Sequence, residues 1–171
     1  MSKILFRDEE TDFPKRKATR LKGFDYSAPG TYFVTICTNN RKCLLSNIVG
    51  EGLCALPKNT LTAIGKEVEK TIQFINEHYV GVNIDKYVIM PNHVHLIVAL
   101  DNSGGHGNPP LQKVIGQLKS YIAHKFGVCL WQRSFHDHMI RGEQDYLKIW
   151  NYIDTNAIKW EQDCFYSNEK E

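Results

Sequence analysis

Apolar positions recur along this chain with two different periods. Residues 31–38 (Thr-Tyr-Phe-Val-Thr-Ile-Cys-Thr) are β-branched and aromatic, with Ala-Pro-Gly before them and Asn-Asn-Arg after, which predicts a strand. Residues 60–78 carry Leu61, Ile64, Val68, Ile72 and Ile75 at helical spacing, so they predict an amphipathic helix. Two apolar runs follow, 82–89 and 93–100, separated by Pro91-Asn92. They read as an antiparallel hairpin closed by a tight turn. Residues 111–126 return to the helical period through Val114, Ile115, Leu118, Ile122 and Phe126. Residues 128–140 predict a further extended segment, and a third helix runs from Glu143 to about Ile158. Between 43 and 58 the apolar pieces are short and broken by Gly50, Gly52 and Pro57, an irregular stretch with room for a hairpin. The order strand, helix, strand, strand, helix, strand, helix predicts an α+β fold. It fits the ferredoxin-like arrangement, an antiparallel sheet with helices packed on one face.

The ends of the chain differ from its middle. Residues 1–25 are charged and polar, and Lys15, Arg16, Lys17, Arg20 and Lys22 make them a basic, partly ordered leader; 26–163 form a single domain; 164–171 are a polar tail. A basic arm can meet phosphates, and equally it can be a solvated leader. Within 171 residues, 42% hydrophobic and 23% charged content is ordinary for a globular domain, and the net charge of +2 does not by itself point to nucleic acid. Five widely spaced cysteines without a Cys-x-x-Cys exclude a zinc ribbon and give no sign of a disulfide framework. Reduced thiols, no signal-peptide pattern and no apolar run near the about 20 residues of a membrane helix predict a cytoplasmic protein without a membrane partner.

The chemistry gathers at two places. Side chains at i and i+2 of a strand share one face, so His93 and His95 project together while Val94 points away, half of a divalent-metal site. Taken alone, such a pair is more often a hydrogen-bonded polar pair. On the third helix, Tyr152 and Asn156 are four apart and share a face. A tyrosine hydroxyl can be a covalent nucleophile once helped past its ordinary pKa near 10, and an amide oxygen is a suitable ligand for Mg²⁺ or Mn²⁺. Spacing alone favours plainer roles: a half-buried helix aromatic for Tyr152 and a C-cap for Asn156.

Four passages, taken in order, carry a resemblance. Arg20–Ser27 leads into residues 32–38 and Asn40-Arg41; Val88-Ile-Met-Pro-Asn-His-Val-His95 comes next; then Trp131-Gln-Arg-Ser-Phe-His-Asp-His-Met-Ile-Arg141; then Asn151-Tyr-Ile-Asp-Thr-Asn156 with Lys159-Trp160. Over 16–163 the chain resembles the single-tyrosine HUH transposases of bacterial insertion sequences, and is most similar to the REP-associated tyrosine transposases. The resemblance implies a metal-dependent single-stranded DNA endonuclease and strand transferase that cuts beside DNA hairpins through a 5′-phosphotyrosine intermediate. It implies Tyr152 as nucleophile, His93, His95 and Asn156 as ligands of Mg²⁺ or Mn²⁺, and hairpin-bearing single-stranded DNA as partner, with the protein a monomer or homodimer. His138 matches a family position and is an accessory candidate; Arg133 and Arg141 join Arg16, Lys17, Arg20 and Lys22 as candidate DNA contacts. The family's usual proline after the asparagine is Ala157 here, so the helix is free to run on.

The competing readings are a domesticated, non-catalytic binder of structured DNA or RNA and a different histidine enzyme. Histidine-triad hydrolases need a third histidine where this chain has Ile97, the paired His-x-Ser/Thr motif of two-histidine phosphoesterases is missing, and no P-loop is present.

Overall fold

The computed structural model describes residues 28–49, 57–101 and 109–166. The leader, with Arg16, Lys17, Arg20 and Lys22, and the loop at 102–108 lie outside the described residues. The elements follow the expected order: β1 (Gly30–Cys37), a short hairpin β2 (Ser46–Val49) and β3 (Lys58–Leu61), α1 (Ala63–His78), β4 (Val82–Ile89), β5 (His93–Leu100), α2 (Leu111–Phe126), β6 (His136–Met139) and α3 (Glu143–Thr155). The main sheet is antiparallel throughout, in the order β4-β5-β1-β6. The α+β, antiparallel expectation therefore holds. The segment 128–140 forms strand only at its end, and Thr60 belongs to β3 rather than to the first helix.

Strand parity divides the sheet into two faces. Val34 and Ile36 of β1 and Val94, Leu96, Val98 and Leu100 of β5 point to one side, where they meet Val68, Ile72 and Ile75 of α1 and Val114, Leu118 and Ile122 of α2 in the main core. On the other side, Phe33, Val88 and Ile97 pack with Ile140, Tyr146, Ile149, Trp150 and Ile153. The third helix therefore covers the face opposite α1 and α2, which refines the one-sided arrangement. Its amphipathic pattern gives no sign of which side of the sheet it will cover.

Strand β4 changes parity midway. Its register shifts between Ile84 and Lys86, a bulge at Asp85. Before it, Val82 and Ile84 face the main core; after it, Tyr87 and Ile89 do, while Lys86 and Val88 turn to the α3 side. There Lys86 pairs with Asp154 at 2.6 Å and lies 4.5 Å from the centroid of Trp150, which helps seat α3. The helix starts at Gly142, whose φ of +86° favours glycine, and the Asp145 carboxylate accepts the Arg141 N–H at 3.0 Å in its first turn.

Candidate metal and phosphoryl-transfer centre

His93 and His95 stand on the α3 face of β5, both fully buried, with ring centroids 4.5 Å apart. Each has its Nδ1 occupied. His93 Nδ1 lies 2.9 Å from Asn92 Oδ1, and His95 Nδ1 lies 2.8 Å from the hydroxyl of Thr35, its cross-strand partner on β1. The Asn92 amide is oriented by its other end, which donates to the carbonyls of Arg41 (3.1 Å) and Phe165 (2.8 Å). Its oxygen must therefore accept, so His93 carries its proton on Nδ1 and presents a lone pair at Nε2. That Nε2 is buried and has no hydrogen-bond partner among the described residues. Such an outer contact is how proteins orient a metal-binding imidazole. Burial pushes both histidines down to about 3, Arg41 adding to the effect at His93 and His93 at His95, so both rings are neutral around pH 7.

The last turn of α3 and the segment after it close the site. The Tyr152 hydroxyl lies 3.2 Å from His95 Nε2 and 3.4 Å from Asp163 Oδ2. Burial, with the nearby Asp163 charge acting in the same sense, raises its pKa to about 12. Asn156 is buried; its Nδ2 donates to Asp163 Oδ2 at 3.0 Å, and its Oδ1 has no partner among the described residues. The backbone stays in turns past Asn156, with Lys159 N–H reaching the carbonyls of Thr155 and Asn156, as the absence of a proline permits. Donor atoms of His93, His95 and Asp163 lie within 4.8 Å of one another. Two neutral imidazoles and a carboxylate, with one imidazole nitrogen buried and unsatisfied, suit a divalent cation.

A strap of chain holds Asp163 in place. Its Oδ1 accepts the Phe165 N–H at 2.7 Å, and the Phe165 ring packs 4.6 Å from His93, with the Arg41 guanidinium 5.1 Å from its centroid. Arg41 also donates to the Cys164 carbonyl at 3.2 Å. Asn40 and Arg41 are consecutive residues with left-handed φ near +55°, a conformation other residues rarely take, and Asn92 anchors it through the Arg41 carbonyl.

The structure thus brings together His93, His95, Tyr152 and Asn156. It places His138 elsewhere: its Nε2 meets Asp145 Oδ2 at 2.9 Å, at the start of α3, about two helical turns from Tyr152. Arg141 sits beside that same helix start, and Arg133 on the loop before β6; both side chains are exposed. Tyr32 and Trp131 are buried in the main core. Lys119 is bound to the carbonyls of Gln132, Arg133 and Ser134, and Lys125 to Glu67, so these helix lysines have local duties. Asp163, Asn92 and Thr35 were not among the sequence candidates. Thr35 had a signal, a lone hydroxyl between apolar neighbours on a buried strand; Asp163, in an irregular segment, had none.

The architecture and the site define a ferredoxin-like domain with two buried histidines and a half-buried aspartate beside an accessible tyrosine. The chain is 35% identical to an uncharacterized protein of Haemophilus influenzae over 173 aligned positions, covering 88% of this chain and 93% of that one, and it belongs to that protein's family. No protein-family model matches it. Among solved structures, its fold is similar to that of a REP-associated tyrosine transposase bound to a REP hairpin (TM-score 0.61, 23% identity, 82% of this chain and 73% of that one). A transposase of Deinococcus radiodurans R1 overlaps at a TM-score of 0.43 and 16% identity, over 80% of this chain and 95% of that one, too distant to bear on the fold. Among the described residues, no helix is long and apolar enough to cross a membrane.

Proposed function

We propose that the protein is a metal-dependent endonuclease and strand transferase acting on single-stranded DNA beside hairpins, with Tyr152 as its nucleophile. The observation that carries this reading is the position of the Tyr152 hydroxyl, 3.2 Å from His95 Nε2 at the edge of the His93–His95–Asp163 cluster. The hairpin-bound transposase with the same fold supports the substrate class.

His93 and His95 would hold the ion through Nε2 and Asp163 through a carboxylate oxygen, with Asn156 beside them as the further ligand expected from the family pattern. A divalent cation held there would supply positive charge against the negative charge that develops on the phosphate in the displacement. The protein's own part is to hold the phenol oxygen in line and to remove its proton. Tyr152 Oη attacks phosphorus, the bond from phosphorus to the 3′ oxygen breaks, and the 3′ oxygen takes up a proton. The products are a 5′-phosphotyrosine and a free 3′-hydroxyl. Attack of a 3′-hydroxyl on that linkage reverses the step and rejoins strands without an outside energy source. With its pKa near 12 the phenol needs a proton acceptor; with His95 Nε2 given to the ion, the Asp163 carboxylate 3.4 Å away is the acceptor left beside it.

Covalent capture tests this. Labelled single-stranded DNAs bearing varied hairpins, incubated with the protein and Mn²⁺ or Mg²⁺, should give a protein–DNA adduct on a denaturing gel that Tyr152→Phe abolishes. Tight hairpin binding with no adduct would overturn catalysis and favour the non-catalytic binder.

A further inference from the structure

We infer that the open cleft along α3 is a track for the sugar-phosphate backbone of the cleaved strand, held by Lys148 and Lys159 on either side of Tyr152 and indifferent to base sequence. This deepens the function proposed above and rests on it for the identity of the strand. The cleft measures about 620 Å³ and is lined by Lys148, Asn151, Tyr152, Thr155, Lys159 and Asp163 among others.

Spacing makes these residues a line. Lys148, Tyr152 and Thr155 succeed one another at i, i+4 and i+7, and so share one face of the helix. Lys159 continues the line, because its N–H bonds back to the Thr155 carbonyl and keeps one more helical turn beyond the end of α3. With a rise of 1.5 Å per residue, Lys148 lies about 6 Å and Lys159 about 10 Å along the axis from Tyr152, on opposite sides. Two cations so placed can meet separate phosphates of one strand, one on each side of the tyrosine. Both lysines are exposed, and neither forms an ion pair among the described residues.

The lining also says what the track does not do. Surfaces that hold a single strand through its bases stack them on aromatic side chains, whichever bases they are. Here the one aromatic ring is Tyr152 itself, and the remaining side chains include small amides, a hydroxyl and two ammonium groups. Phosphate contacts of that kind position a strand without reading it. Choice of cleavage position must then come from groups outside this cleft.

The test uses full-length Tyr152→Phe protein, which cannot form an adduct, and fluorescent oligothymidylate and oligodeoxyadenylate of equal length. Anisotropy titrations across a salt series give affinity and its salt dependence. Lys148→Ala and Lys159→Ala should each weaken both oligonucleotides several-fold and by similar factors, and each should flatten the log–log salt slope by about 0.7. Arginine at either position should restore binding, and Lys66→Ala, on α1 across the sheet, should change nothing. Unchanged slopes, a loss confined to one oligonucleotide, or no binding by the parent at low salt would overturn the track. Lysine-dependent binding in a protein that forms no adduct would leave the track standing and sink the nuclease; adduct formation with unchanged slopes would do the reverse.

Discussion

At the scale of single residues, the site depends on groups that never touch a substrate. Asn92 uses both ends of its amide, fixing the His93 tautomer and fastening the Arg41 turn and the Phe165 strap. Asn92→Ala should lower stability by about 2–3 kcal/mol through its lost buried hydrogen bonds, seen in urea unfolding, and weaken Mn²⁺ binding about 10- to 100-fold. The histidines give the metal-free protein a pH signature. Their folded pKa values near 3 lie below the ordinary 6.5, so the unfolded chain binds more protons between those limits. Stability is therefore fully present above pH 6.5 and falls as pH drops below it, by about 1.4 kcal/mol per pH unit for each histidine. Urea melts in a chelator at pH 7.5, 6.5 and 5.5 should show this fall, and a His93→Gln, His95→Gln double variant should flatten it. Strand parity places the histidines on one face and helical spacing does the same for Tyr152 and Asn156, while the roles proposed for them come from the family resemblance. Asp163 was not readable, because its placement follows from the path of an irregular strap, which no local period encodes.

At the scale of elements, two glycines of helix interiors should respond with opposite signs. A Cβ on Gly65 would come 2.0 Å from the Leu45 carbonyl oxygen, where α1 crosses the chain leading into β2, and backbone cannot yield cheaply. Gly65→Ala should destabilise by about 1–3 kcal/mol or more. Gly116, on the exposed side of α2, has nothing within 4 Å of such a Cβ, so Gly116→Ala should stabilise by about 0.5–1 kcal/mol. Thermal melts of the two variants against the parent check both. Helices and strands with strong periods were visible in the sequence almost to the residue, as for β4, β5 and α2. Strand β6 was overestimated because Leu130, Trp131 and Phe135 are buried without being paired over most of that segment. Apolar side chains report burial, and only backbone partners make a strand.

At the scale of the whole molecule, the two faces of the sheet differ in strength. The α1–α2 side holds the larger core, and α3 is held by a smaller cluster around Ile97, Ile140 and Ile153. Local opening follows the apolar surface an element buries. In native-state hydrogen exchange, amides of α3 should therefore open at lower free energy than those of β1 and β5, and Mn²⁺ should slow them if the ion ties Asp163 to the histidines. Equal protection of α3 and the central strands in the metal-free protein would contradict this.

The alternation along β5 has a consequence for how such a site can change. Its odd positions, His93, His95 and Ile97, face the candidate site and the third helix, and its even positions fill the main core. Inserting or deleting one residue early in the strand would exchange the two faces. Imidazoles would enter the oily layer and valines would replace them beside Tyr152, so one frame error would cost the protein its fold and its centre together. The strand can be edited by substitution, or by two residues at a time; a one-residue change keeps its histidines in place only if a bulge absorbs it, as one does at Asp85 of β4.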